Sequence, residues 1–532
     1  MNTSIKKISL LFILAFSANG IFAQTLNDAI KLTQGEKYSK ASAAFHQLIK
    51  NDPTNAENYF YCGENYLKWN KADSAKIIFQ QGIAANPKSG LNFAGLAQVQ
   101  WSQKDTIVAN INIASALKLG KKNIAVILAI ADAYINYDYK KLNEAQLLLS
   151  NAEKKHFKNV QLHLLKGDLF DLKKDNNNAY DSYLTAYEID STSFEALIKL
   201  GNFNAAIKNY EKAREYFITV NILDTAFAPA YKYKAQMGEN TEDYEFAVIQ
   251  YRKYLEFNEN PQTRIDLTRN LLLNQNYREV ISEVQRFQAY DTTNLYMYRL
   301  GGYSFFELGK YDSCAMYIQS FVNKSFLDTN YKVIPTDYLY LGKSYFRIAN
   351  DSLAVIYLQK AIANDPNNLE LYSDMGNAHY RLKQFPEAIK YHQIKIQKKG
   401  DKSDTRDYDF LAKAYYYNQE YKIADSLFAK VIELKPEVFP GAYYWRAKSN
   451  AKLDPQCTQG TAIATYETVL TMANPEKNKK EIIDGCLYLG FYYIQKKDYK
   501  KAKGYYTKIL ELDPNNPQAN NFMKTPTAKA IK

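Results

Sequence analysis

Between Leu371 and His392 the chain reads LYSDMGNAHYRLKQFPEAIKYH. Two histidines, several carboxylates and a glycine beside an asparagine are materials from which active sites are made. The same stretch holds Gly376 and Ala388, twelve residues apart, each inside an apolar stripe. Leu371, Tyr372, Met375, Gly376 and His379 form the first stripe, and Ala388, Ile389 and His392 the second. Recurrence at three and four positions predicts two helices. The link KQF separates them, and Pro386 suits the first turn of the second helix, where a missing N–H costs nothing. Small residues on facing helices let the backbones approach, so the stretch also reads as a packing joint.

Repetition decides between these readings. Gly63, Ala97 and Ala131 lie 34 residues apart; Gly167, Gly201, Ala235 and Arg269 keep the same step, as do Gly342 and Gly376. An alanine follows twelve residues later in Ala29/Ala41, Gly63/Ala75, Ala97/Ala109, Gly167/Ala179, Gly201/Ala213, Ala235/Ala247, Gly342/Ala354, Gly376/Ala388, Ala412/Ala424 and Gly490/Ala502. Such a period marks a chain built from one repeated supersecondary unit, here a helical hairpin. Large residues beside the small ones fill the flanks: Tyr59, Tyr66 and Phe79; Tyr408, Tyr415 and Phe428; Tyr493 and Tyr506. This use accounts for the 46 tyrosines. Units often close on Asp-Pro or Asn-Pro (Asp52-Pro53, Asn86-Pro87, Asp365-Pro366, Asn474-Pro475, Asp513-Pro514), where proline stops one helix before the next begins.

The pattern resembles the tetratricopeptide repeat: a large residue, Leu-Gly or Leu-Ala, Tyr, a turn often carrying Tyr, then Ala, Phe or Tyr, Ala and Pro. The best matches are 56–89, 335–368, 405–437 and 483–516. In the last of these Leu489-Gly490, Tyr493, Tyr499, Ala502, Tyr506 and Pro514 fall where the family has them. The resemblance implies an all-α superhelix of antiparallel helix pairs, a solenoid of about fourteen units over residues 25–516. Weaker copies lie at 262–294, where Arg269 replaces the small residue, and at 440–477, where LDPQCTQG lengthens the turn. The step stretches between Gly302 and Gly342 and between Ala447 and Gly490, which predicts kinks or hinges near 322–334 and 470–482. The expected organisation is a signal peptide at 1–23, repeat arrays at 24–326 and 327–516, and a tail at 517–532.

The signal peptide is read from Lys6 and Lys7, the apolar run Ile8–Ala18 and a small residue at Ala23. Eleven apolar residues are too few to span a bilayer. The first cysteine is Cys62, well past the apolar run, which argues against a lipid-anchored mature terminus. Cleavage before Gln24 predicts an exported protein of the periplasm or cell envelope. The four cysteines, Cys62, Cys314, Cys457 and Cys486, show no CxxC spacing and carry no zinc or thioredoxin signature. They read as small buried hydrophobes, with a Cys457–Cys486 bridge as the alternative.

No phosphate loop, HExxH, GxSxG or Cys–His pairing stands out. Carboxylates are spread over helix faces, as on solvated surfaces. His379 and His392 occupy slots that other units fill with Tyr, Phe or Leu, and two ligands alone rarely hold a metal. The expectation is therefore a protein that is not an enzyme and uses no cofactor or metal. The resemblance implies instead that the first helix of each unit lines a concave groove in which a partner's peptide or helical segment lies. The residue after each small first-helix residue is expected to face it. The candidates are Glu64, Asp132, Asp168, Asn202, Tyr303, Lys343, Asn377, Lys413 and Lys448, with Gln98, Gln236, Asn270 and Phe491 completing the series. The series drifts from acidic to basic, a polarity that would orient an oppositely charged partner. Some family members grip a C-terminal carboxylate with Lys, Asn, Asn, Lys and Arg on successive first helices. Here Asn202 holds one such position, but Ile198, Tyr233, Thr263 and Leu267 occupy the others, so that clamp is not expected.

The formal charge is +12, and lysines crowd the C-terminal stretch between Lys477 and Lys508. Export argues against nucleic acid as partner, and the aromatic–basic interleaving follows from repeat packing. A solvated helix face is the plain explanation of those lysines, with an anionic membrane surface, an acidic polysaccharide or an acidic partner as alternatives. The leading expectation is a non-catalytic scaffold for a partner protein. The second is an envelope assembly or secretion factor that binds glycan or anionic lipid, associated peripherally with the membrane or with an envelope complex.

Overall fold

The structure, a computed structural model, describes residues 25–328, 330–437 and 441–531. The expected signal peptide at 1–23 lies outside the described residues. Among the described residues the fold is α-helical with no strand, a helical-repeat solenoid. Helices follow one another as hairpins, from Leu26–Gln34 with Tyr38–Asn51 and Ala56–Lys68 with Ala72–Ala85 to Lys479–Gln495 with Tyr499–Leu512. The chain divides into two compact units between Asn276 and Tyr277. Residues 517–532, set apart above as a tail, carry the short helices Pro517–Met523 and Pro526–Ala530, whose Ala519, Phe522 and Ala528 are buried.

The small-residue pairs sit in the core. Every alanine of the ten pairs is fully buried. The glycines do something more specific than bring two backbones together. A Cβ on Gly63 would lie 2.3 Å from the Phe79 ring, on Gly167 2.3 Å from Tyr183, and on Gly201 2.3 Å from Phe217. In each case the occupant is the side chain sixteen residues on. Phe79 is gripped from both sides, since a Cβ on Gly95 would also come within 2.3 Å of it. At Gly342 the obstacle is backbone, Leu358 N at 2.9 Å. The first-helix glycine thus makes a seat for a second-helix ring, and close-packed cores tolerate no atom added there.

Turns between paired helices use a device that is hard to see in a sequence. A left-handed residue follows the first helix in pair after pair: Glu36, Asn70, Lys104, Lys208, Ala349 and Lys383 have φ of 58° to 66°. The following N–H then turns back onto the helix, as where Gln384 N–H donates to His379 O at 2.9 Å. This closes the helix C-terminus as glycine usually does. Second helices are often capped by an acid or amide; Asp105, Asp175 and Asp498 accept from Val108, Asn178 and Lys501 N–H.

The two stretched joints are built differently from loose hinges. Beyond the gap at 326–334, Asp337 is fully buried and accepts from Arg299 Nε at 2.9 Å, Arg299 Nη2 at 2.8 Å, Tyr303 OH at 2.7 Å and Ile334 N–H at 2.8 Å. Arg299 also donates to Lys332 O at 2.6 Å. At the second, Tyr444 OH donates to Asp484 at 2.5 Å. The long turn LDPQCTQG wraps its own aspartate: Asp454 is buried and accepts N–H bonds from Thr458, Gln459 and Gly460 at 3.0, 3.0 and 2.7 Å. Burial raises its pKa, but these three bonds outweigh burial and hold it below the usual carboxylate range. All four cysteines are free and buried, so Cys457 and Cys486 are the packing hydrophobes of the first reading.

Candidate functional site

In the N-terminal unit the first helices of successive pairs enclose a cavity of about 730 Å³. Ala56–Lys68 presents Tyr61, Glu64 and Lys68; Leu91–Ser102 presents Gln98; Ile124–Tyr137 presents Leu128, Asp132 and Asn136. Val160–Leu172 adds Leu165 and Asp168, and Phe194–Ala206 adds Glu195 and Lys199. The 34-residue step places Glu64, Gln98 and Asp132 at equivalent positions on consecutive first helices. The unit also returns on itself. Glu36 accepts from Lys232 Nζ at 3.5 Å and from Tyr254 OH, and its carbonyl accepts from Asn258 Nδ2 at 3.3 Å.

The carboxylates of the cavity are not equally satisfied. Asp168 pairs with Lys199 Nζ at 2.5 Å and accepts from Tyr183 OH at 2.7 Å. Asp132 accepts from Asn136 Nδ2 at 2.9 Å and, more weakly, from Gln98 Nε2 at 3.4 Å. The Gln98 amide also acts on the Glu64 carboxyl, but Glu64 Oε1 is shut off from solvent and has no hydrogen-bond partner. Burial pushes the Glu64 carboxyl up, and the negative charge of Asp132 adds to the effect. Asp132 is raised by burial too, against the pull of Lys68. A buried carboxyl that feels the charge of another resists losing its proton.

The C-terminal unit has a smaller pocket, about 400 Å³, of another character. Phe346, Tyr380, Phe410 and Trp445 wall it, with Asn377, Arg381, His392 and Lys413 between them. Its cations are already engaged: Arg381 with Asp351 at 2.6 Å and Phe346 O at 2.8 Å, Lys413 with Asp409 at 2.7 Å. The two histidines of the opening stretch do not stack on one another. His379 stacks on Tyr391, with ring centroids 5.4 Å apart, and His392 on Phe410, at 5.7 Å. His392 fills the seat beside Gly376, where a Cβ would meet its ring at 2.7 Å. Burial, then the nearby Lys395, drives its pKa down to about 4 against the opposing pull of Asp407.

Of the groove candidates, Glu64, Asp132 and Asp168 line the first cavity together with Gln98, and Asn377 and Lys413 line the second. Asn202 lines neither. Tyr303 is buried against Asp337, and Asn270 is buried with its amide on Glu239 and Asp266 O. Lys343 pairs with Glu370 at 2.5 Å, and Lys448 lies 4.7 Å from the centre of the Trp445 ring. The basic half of the series is therefore largely neutralised or covered. Three features escaped the sequence. Glu195 and Lys199 enter the first cavity from elsewhere on their helix. Asp374, buried with an unpartnered Oδ2, is pushed up to about 6 by its burial. The aromatic pocket gathers rings that each looked like ordinary flank filling. Among the described residues no group of three or more His, Cys, Asp or Glu is placed to hold a metal, and no helix is long and apolar enough to cross a membrane.

Comparison with known proteins brings the repeat to the surface. Family models of the tetratricopeptide repeat match residues 338–368 and 483–516. None of the curated proteins compared with the chain matches it. Among solved structures, the C-terminal part of a TPR repeat-containing protein from Cytophaga hutchinsonii is 34% identical, over 49% of this chain and 100% of that one, with a TM-score of 0.41. A tetratricopeptide repeat protein from Parabacteroides merdae is 13% identical, over 48% of this chain and 99% of that one, with a TM-score of 0.33. PilF from Pseudomonas aeruginosa is 17% identical, over 38% and 90%, with a TM-score of 0.29. On the family-model matches and the 34% identity across the whole of that solved C-terminal part, the chain belongs to the tetratricopeptide repeat family.

Proposed function

We propose that this protein is a non-catalytic scaffold of the cell envelope that holds a segment of a partner protein in the concave face of its N-terminal unit. The observation that carries this reading is the cavity of about 730 Å³ walled mainly by first helices and lined by both apolar and charged side chains. A site of that size and mixed lining suits an extended peptide whose side chains alternate between the two kinds of wall. Export rests on the basic, apolar and small-residue order of positions 6–23.

A photoreactive amino acid at Gln161, which lines the cavity, and another at Ile107, which is exposed and lies outside it, provide the test in living cells. The reading expects one reproducible crosslinked protein from position 161 and none from 107. Crosslinks from 107 alone would move the interaction to another face. The same purified sample checks export, because mass spectrometry of its N-terminus should find Gln24 first. An intact Met1 would remove the envelope from the proposal.

A further inference from the structure

The two walls of the N-terminal cavity say more about the occupant than its size does. Four carboxylates and two lysines line it. Lys199 is committed to Asp168, and Lys68 is the remaining cation close to Glu64 and Asp132. Asp132 receives amide N–H groups from Asn136 and Gln98, and Gln98 also lies close enough to Glu64 to lower its pKa, whereas Glu64 Oε1 itself has no hydrogen-bond partner and solvent does not reach it. An acceptor in that state is costly to keep unless something supplies a donor. Beside it stand Tyr61, Leu128 and Leu165, apolar surface suited to a methylene chain.

We propose that the cavity takes a lysine or arginine side chain of the partner segment, its cation seated on Glu64 and Asp132 and its alkyl stem along Leu128 and Leu165. This deepens the scaffold reading and rests on it. Such a cation supplies the donor that Glu64 Oε1 lacks and relieves the repulsion between the two carboxyls. The specificity is local, because the chain as a whole carries a formal charge of +12 and its general field repels basic peptides.

The test is affinity selection on the immobilised full chain from a randomised library of acetylated, amidated decapeptides, read by mass spectrometry. Wild-type protein should enrich peptides with Lys or Arg at one position, at least fivefold over the input. Double substitution with Glu64→Gln and Asp132→Asn should abolish that preference while circular dichroism shows a fold intact and a melting temperature no lower than that of the wild type. Norleucine in place of the selected lysine should weaken binding at least tenfold. Enrichment of peptides without a basic residue, or norleucine binding as well as lysine, overturns the cation seat and leaves the groove reading standing. No enrichment of any peptide over an unrelated helical protein overturns both.

Discussion

The two pockets come from the same repeat, yet burial acts on opposite kinds of group in them. In the N-terminal unit it acts on acids: Glu64 and Asp132 are both pushed up, so these two carboxyls hold their protons longer than free ones. In the C-terminal unit it acts on a base: His392 is driven down to about 4 and stays neutral through physiological pH. The first cavity keeps an acceptor without a donor, while the cations lining the second are already paired. The contrast teaches that the helical hairpin sets where side chains point, and the residues at a few equivalent positions decide whether a pocket is left chemically incomplete.

The sharpest structural blow falls on the C-terminal unit. Asp337→Ala strands Arg299 and Tyr303 beside a buried void, and breaking such a pair costs about 3–5 kcal/mol. Urea unfolding followed by hydrogen exchange should show Leu295–Glu307 and Pro335–Arg347 loosening first. Unchanged protection there would mean the joint is a hinge after all. In the N-terminal unit the matching blow is Gly63→Ala, which drives a methyl into the Phe79 ring and should cost about 1–3 kcal/mol by overpacking. A stability within error of wild type would show that Phe79 can leave its seat freely.

Acid and base should then separate the units. His392 has a folded pKa below its unfolded one, so the unfolded chain takes up the proton first. Stability is full above about pH 6.5 and declines toward pH 4, by about 2 kcal/mol at pH 5. His392→Phe should flatten that decline, seen as protection of Phe385–Lys399 at pH 5 relative to pH 7. Glu64 has the opposite sign. Its raised pKa means the unfolded chain loses the proton first, so the unit loses stability as pH rises above the usual carboxylate range. Glu64→Gln should therefore stabilise Ala56–Lys68 at pH 8 and leave it unchanged at pH 4. A variant less stable than wild type at pH 8 would show that Glu64 is ionised and paired. The smallest effect is a gain. Ala349 turns with φ 59°, and Ala349→Gly should add about 0.5–1 kcal/mol, since glycine takes that conformation without strain.

How much of this could be read from the letters differs element by element. Gly376 and Ala388 announce a helical hairpin because a fixed twelve-residue spacing recurs and few other structures need it. What the glycine makes room for was less visible. The ring at the next-but-three position after the alanine, Phe79 or His392, is set by how far the second helix is advanced, and spacing alone does not fix that. Left-handed turns at Lys104, Lys208 and Ala349 escaped because these residue types do not advertise such a backbone. Glu64, Gln98 and Asp132 lined up in the sequence because the step between them is regular. Tyr303 did not behave as its place in the series suggested, since the stretched step after it brings Asp337 over its hydroxyl. Lys343 looked like free positive charge until Glu370, 27 residues on, closed upon it.

The account stands or falls on what the first cavity holds. A decapeptide with lysine beside a photoreactive residue, irradiated with the full chain and mapped by mass spectrometry, asks this directly. The account predicts adducts on Ala56–Lys68, Ile124–Tyr137 and Val160–Leu172, lost when Glu64→Gln and Asp132→Asn are combined. Adducts elsewhere on the chain, or adducts on those helices that persist in the double variant, would contradict it.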